Sequence, residues 1–185
     1  MKIINTPLTK ETVKELNAGD VVVIRGIIYA ARDAAHKKMI DLIHRGEPLP
    51  FDVKNQVIYY VGPCPAKPWD VIGSAGPTTS SRMDAYAPEL IKLGLTGMIG
   101  KGIRSKGVIN AMKEYGSIYF GAIGGAGALI AKTIIEEEII AFPELGPEAI
   151  RKLVVKDFPA TVIIDSLGNN LYEVGRKKHR KNQIV

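Results

Sequence analysis

Apolar and polar positions change their period several times along the chain, and each change marks an element. Residues 20–30, Asp-Val-Val-Val-Ile-Arg-Gly-Ile-Ile-Tyr-Ala, are β-branched and almost continuously apolar, the pattern of a strand buried on both faces. Residues 34–45 switch to a helical period. Ala35, Met39, Leu42 and Ile43 share a stripe, Lys37, Lys38 and Asp41 lie away from it, and Gly46 supplies a stop. Residues 56–61 and 71–74 read as two further strands. Between them, residues 62–68 hold three prolines in seven positions, a stiff and non-helical connection.

After the Gly76-Pro77 turn, a helical stretch contains Pro88 and ends at Gly94, which predicts a helix broken in two. Residues 95–99 are strand-like, Gly100-Lys101-Gly102 makes a tight turn, residues 104–115 are helical and 118–123 form another strand. A helix is expected within 124–138, although Ile134-Ile-Glu-Glu-Glu-Ile-Ile at its rear fits helix or strand. From Ile150 onward the pattern is β, with strands at 151–155, 161–165 and 171–174. Ser166-Leu-Gly-Asn-Asn makes the hairpin connection. With no repeat and no internal linker, these elements predict one compact α/β domain over residues 1–175, antiparallel toward its end.

Composition narrows the class. The 185 residues suit one domain, and 46% hydrophobic with 24% charged residues excludes disorder as the main state. The net charge of +6 invites a polyanionic partner, but residues 176–181, Arg-Lys-Lys-His-Arg-Lys, carry five of the cations. The body is nearly neutral, and residues 176–185 are expected to be a basic, flexible tail. Basic termini without interleaved aromatics are usually solvated ends, so a nucleic-acid-binding module is the weaker reading. One cysteine, Cys64, excludes an internal disulfide framework and any all-cysteine metal site built by this chain alone. The opening residues lack a signal-peptide core. The longest uncharged run, residues 115–131, is 17 residues with five glycines, too short and broken for a membrane span. A cytoplasmic chain with no membrane partner is expected.

Candidate chemistry gathers at three junctions where strands end and glycine turns begin, the place where open α/β sheets take ligands. At Ala31-Arg32-Asp33-Ala-Ala-His36-Lys, Asp33 could cap the following helix and leave Arg32 at the mouth. In Gly73-Ser-Ala-Gly-Pro-Thr78-Thr79-Ser-Ser-Arg82-Met-Asp84, four hydroxyl residues follow the turn, and Ser81 with Asp84 has capping-box spacing. Backbone N–H groups flanked by hydroxyls and Arg82 would suit an anion. In Gly100-Lys101-Gly102 the ammonium can point into a cleft while the backbone stays close. This turn lacks the spacing of a nucleotide P-loop, and Gly124-Gly-Ala-Gly127 lacks the third glycine of a dinucleotide fingerprint. Arg32, Arg82, Lys101, Thr78 and Thr79 therefore describe a cationic, hydroxyl-rich pocket suited to a small dicarboxylate. No nucleophile–base pair and no metal constellation accompanies it.

These motifs resemble a known family. The Arg32 and Thr78 segments, Asn55-Gln-Val-Ile-Tyr-Tyr-Val-Gly-Pro-Cys-Pro and Gly100-Lys-Gly together resemble the β subunit of class I fumarate hydratases, a family that includes the L(+)-tartrate dehydratase β subunit. The likeness runs from residue 8 to 174, through Leu145-Gly-Pro-Glu-Ala-Ile and Val155-Lys-Asp-Phe-Pro-Ala. It departs at Arg151, where an aromatic residue is expected. The resemblance implies a swivelling β/β/α domain in a hetero-oligomer, working with an α subunit that holds a [4Fe–4S] cluster through three cysteines; none is implied here. It implies reversible hydration of fumarate to malate, or tartrate dehydration as the rival. Arg32, Thr78, Thr79, Arg82 and Lys101 would bind substrate, Thr78 would be the proton-transfer candidate, and His36 and Asp84 would orient the arginines and hydroxyls. A carboxylate-binding domain without catalysis is a third reading.

Overall fold

The computed structural model describes residues 1–179, and its chain opens on elements that the periodicity does not announce. A short strand, β1 (Lys2–Asn5), leads into α1 (Lys10–Lys14), whose first turn is capped by Thr9 accepting from the Thr12 N–H at 3.4 Å. The apolar run becomes β2 (Val21–Ala30), followed by α2 (Asp33–His44), β3 (Val57–Tyr59) and a 3-10 turn at Ser80–Met83. Next come α3 (Ala87–Lys92), β4 (Gly97–Gly100), α4 (Lys106–Tyr115), β5 (Ile118–Gly121) and α5 (Gly127–Ala131). The chain ends on β6 (Ile134–Ala141), a second 3-10 turn (Pro143–Glu148), β7 (Ile150–Ile164) and α6 (Leu171–His179).

The strand pairings close on themselves. β2, β3, β4 and β5 are parallel neighbours, and β7 runs antiparallel to both β5 and β2. One core cluster draws on all five of these strands, including Tyr59, Ile99, Phe120, Phe158 and Val162. Alternate residues of the same strands, such as Ile58, Met98 and Tyr119, pack instead against α2, α3 and α4. The strands are thus covered on both faces, which is why they read as continuous apolar runs. Among the described residues, no helix is long and apolar enough to cross a membrane.

Several expectations change. The ambiguous stretch at Ile134 is strand β6, not helix. The two strands expected at 151–155 and 161–165 are one, β7, and Pro159 lies inside it. That proline stands opposite Val23 of β2, and on its other edge it falls between the stretch paired with β6 (150–155) and the stretch paired with β5 (161–164), an edge without a strand partner where a missing N–H is tolerated. Residues 171–174 are helical, not a strand. Asn170 caps them by accepting from the Tyr172 N–H at 3.1 Å, and its carbonyl takes the Glu173 and Val174 N–H groups. A short apolar run does not by itself separate strand from helix. Residues 71–74 form no ladder. They belong to a long excursion whose neck is closed by the Cys64 N–H on the Ser74 carbonyl at 3.0 Å. The broken helix is as expected, with Pro88 in the first turn of α3. Of the basic run, residues 176–179 lie on α6 and residues 180–185 lie outside the described residues.

Candidate functional site

All three junctions lie at the carboxyl ends of the parallel strands. Arg32 follows β2, Lys101 follows β4, and the excursion after β3 returns to place Thr78 beside Lys101 at the end of β3. The Thr78 N–H donates to the Tyr60 carbonyl at 2.7 Å, and the Lys101 N–H donates to the Thr78 carbonyl at 3.3 Å. The Ser80 N–H completes the pattern on the Lys101 carbonyl at 2.9 Å, so residues 78–80 extend the sheet at the ends of β3 and β4. Gly100 is required for this approach, because a Cβ there would run into the Ser80 hydroxyl. Thr79 and Lys101 are exposed and Thr78 is half-buried. The Lys101 side chain passes over Gly124, and its ammonium has no ion-pair partner among the described residues.

A carboxylate hub joins the two arginines. Asp33 accepts from Arg82 Nε at 2.7 Å and lies 3.5 Å from the Arg32 guanidinium. It does not cap α2. Glu148, from the turn before β7, takes that role by accepting the Ala34 N–H at 3.0 Å, while its other oxygen lies 3.5 Å from Arg32. Arg32 is therefore held from two sides, and its guanidinium lies so close over Gly62 that a Cβ there would stand 2.8 Å from Nη1. Arg82 is half-exposed and its Nη groups make no hydrogen bond among the described residues, leaving a fork open to a carboxylate. Arg151 stands apart from this hub. It pairs with Glu137 on β6 and donates to the Gly146 carbonyl at 3.1 Å, bracing the turn that carries Glu148.

Beneath the threonines lies a buried charge that periodicity did not single out. Arg104, with a fully buried side chain, donates from Nε to Asp84 at 2.7 Å and rests over the rings of Tyr60 and Tyr119 at 5.3 and 5.1 Å. Burial works against its charge, but Tyr60 and Asp84 beside it outweigh that and raise its pKa. The second Asp84 oxygen accepts the Ser105 N–H at 2.6 Å. The expected Ser81–Asp84 capping box is therefore absent, and Asp84 orients Arg104, not Arg82. The backbone pairing at Thr79–Lys101 and the Asp84–Arg104 pair staple the 78–84 and 100–105 segments together at both ends.

His36 is wholly buried, with its ring edge-on to Tyr60. Nδ1 lies 2.9 Å from the Arg32 carbonyl, so Nδ1 carries the proton and Nε2 is left as a buried acceptor without a partner. Burial pushes its pKa down to about 4, keeping the ring neutral at physiological pH. It touches Arg32 through the backbone and makes no hydrogen bond to a guanidinium. Among the described residues, no three His, Cys, Asp or Glu side chains gather as a metal site.

The structure thus brings Arg32, Arg82, Thr78, Thr79 and Lys101 to one end of the sheet and adds Asp33, Glu148 and Arg104, which sequence reasoning missed in these roles. Glu148 lay in the Leu145-Gly-Pro-Glu motif, and that was the available signal. Comparison with known proteins agrees in extent. Residues 2–175 match the family model described as Fumarase C-terminus. The chain is 43% identical to a Methanocaldococcus jannaschii protein named provisionally as L(+)-tartrate dehydratase subunit beta, over 96% of this chain and 95% of that one. It is 41% identical to fumarate hydratase 2 of Leishmania major and 39% to the aerobic class I fumarate hydratase of Escherichia coli K12. It covers 88% and 92% of its own length in those alignments but only 29% and 32% of theirs, so it spans about a third of the fumarate hydratases it matches. On sequence and on the extent of the match, this chain belongs to the Fumarase C-terminus family.

Proposed function

We propose that this chain is the β-type half of a cytoplasmic iron–sulfur hydro-lyase, a swivelling domain that presents a dicarboxylate to a partner chain. The observation that carries this reading is the meeting of Arg32, Arg82, Thr78 and Lys101 on an open surface at the strand ends. Two arginine forks and an ammonium match two carboxylates, each charge-assisted bond contributing about 1.5–3 kcal/mol. A cluster does not fit the donors of this chain, since one exposed cysteine cannot ligate it. In this reading the cluster belongs to the partner.

The residues of this chain would bind and orient. Arg82 grips one carboxylate with its free Nη groups while Asp33 holds its Nε side. Arg32, held by Asp33 and Glu148, and Lys101 take the other. Hydration of fumarate adds hydroxide to one alkene carbon and a proton to the other, giving malate. In this reading the Thr78 hydroxyl exchanges that proton, and because a free threonine is a weak base the exchange needs a closed, dry site. A second reading, tartrate dehydration, is favoured by the near-complete coverage of the provisionally named tartrate dehydratase subunit. Both reactions use the same carboxylate grip. Anaerobic assay of the chain with its partner on fumarate, malate and tartrate decides between them. The expected result is turnover only when both chains are present, with Arg82→Lys raising KM about tenfold or more. Full activity of Arg82→Lys in that complex would remove the bidentate role.

A further inference from the structure

We propose that the loop carrying Trp69, with the groove beside it, is the surface on which the partner chain docks; this rests on the two-chain reading above. Trp69 is fully exposed, Val71 is half-exposed, and both line a groove of about 670 Å³ whose far wall is Ala128 and Ala131 of α5. An aromatic side chain of this size is rarely left in water without a purpose, and exposed apolar patches of this kind mark contact surfaces.

The loop is built to hold that side chain out. Its neck is closed by the hydrogen bond from Cys64 to Ser74, and its tip is folded by the Trp69 and Asp70 N–H groups on the Lys67 carbonyl at 2.9 and 3.0 Å. Pro65 and Pro68 stiffen the interval. A preformed loop loses little entropy on association, as an anchor for a partner requires. The surface also continues into the open site. The Ala75 N–H donates to the Gly127 carbonyl at 3.0 Å, tying the loop's base to α5. The segment before α5 carries exposed Ile123 next to Gly124, over which the Lys101 side chain passes.

The occupant follows from charge and from length. Lys67 and Lys132 flank the groove against a single acid, Asp70, and Lys101 lies beyond it over Gly124. A second copy seated symmetrically would bring the same cations face to face. The fumarate hydratases that match are about three times longer, so the surface suits the polypeptide they carry in addition, meeting it with an apolar centre and an acidic rim.

Trp69 is the sole tryptophan, so labelling the full chain with 5-fluorotryptophan gives one 19F resonance. The probe is a recombinant chain from the same genome that corresponds to the two-thirds of the matching fumarate hydratases outside the aligned part. Adding it should shift that resonance and shield it from a soluble relaxation agent. Trp69→Ser should weaken assembly roughly 30-fold, the loss typical of an anchoring tryptophan, and leave the unfolding midpoint of the isolated chain unchanged. A complex that turns over substrate with the resonance unmoved and the variant assembling normally overturns the docking surface and leaves the enzymatic reading intact. A complex that covers Trp69 yet is inert on fumarate, malate and tartrate keeps the surface and removes that reading. Failure to bind, or burial of Trp69 by a second copy alone, overturns the proposal.

Discussion

His36 shows how one buried side chain links the site to pH. Its ring is neutral in the fold, with a pKa near 4 against an ordinary value of 6.5. Between these values the unfolded chain binds a proton that the folded chain does not, so stability rises with pH across that window and is lost on acidification. The difference amounts to about 3 kcal/mol at most. Urea unfolding at pH 4.5 and pH 7 should show it, and His36→Gln should flatten the dependence; an unchanged slope would assign it elsewhere. Asp84 carries a larger stake. Asp84→Ala leaves Arg104 buried without its carboxylate and should destabilise the chain by about 3–5 kcal/mol, read as a lowered urea midpoint. Arg32, Arg82 and Lys101 were legible in the sequence because each stands beside a glycine turn or helix start. Arg104 was not, since nothing in a lone arginine four residues after Gly100 says that it faces inward.

At the scale of elements, the site depends on backbone that lies against backbone. Residues 78–80 extend the sheet only because Gly100 has no side chain in their path. Gly100→Ala must push Ser80 and its bond to Tyr119 aside, at a cost of about 1–3 kcal/mol in a packed interior. Lys101 and Thr78 would shift with it. Calorimetry should therefore show a lower transition temperature, and the proposed two-chain enzyme should lose turnover beyond what stability explains; a neutral substitution would mean the segment is free to adjust. Element identity was legible where the period was long and regular, as in β2, α2 and α4. It failed where a few residues had to decide. β1 has four residues, residues 171–174 take their helical state from the Asn170 cap, and Pro159 interrupts a pattern without interrupting the strand.

For the whole molecule, the closed ring of pairings sets which residues meet. Glu148 reaches α2 from 114 positions away because β7 lies along β2 and returns its leading turn to the mouth of the site. The arrangement at the strand ends is cationic and open, as the proposed two-chain reading requires. The sequence by itself determined the α/β class, the family, the cations and hydroxyls that gather at the strand ends, and a cysteine count of one. These are local or compositional properties, carried by spacing, glycine turns and counts. Only the tertiary structure decided which carboxylate holds which arginine, that Asp84 serves Arg104 while Asp33 serves Arg82, and that Trp69 stands uncovered beside the site. Each is a relation between distant segments, set by strand order and register, and a one-dimensional pattern carries no information about which of several equivalent acids and bases will face one another.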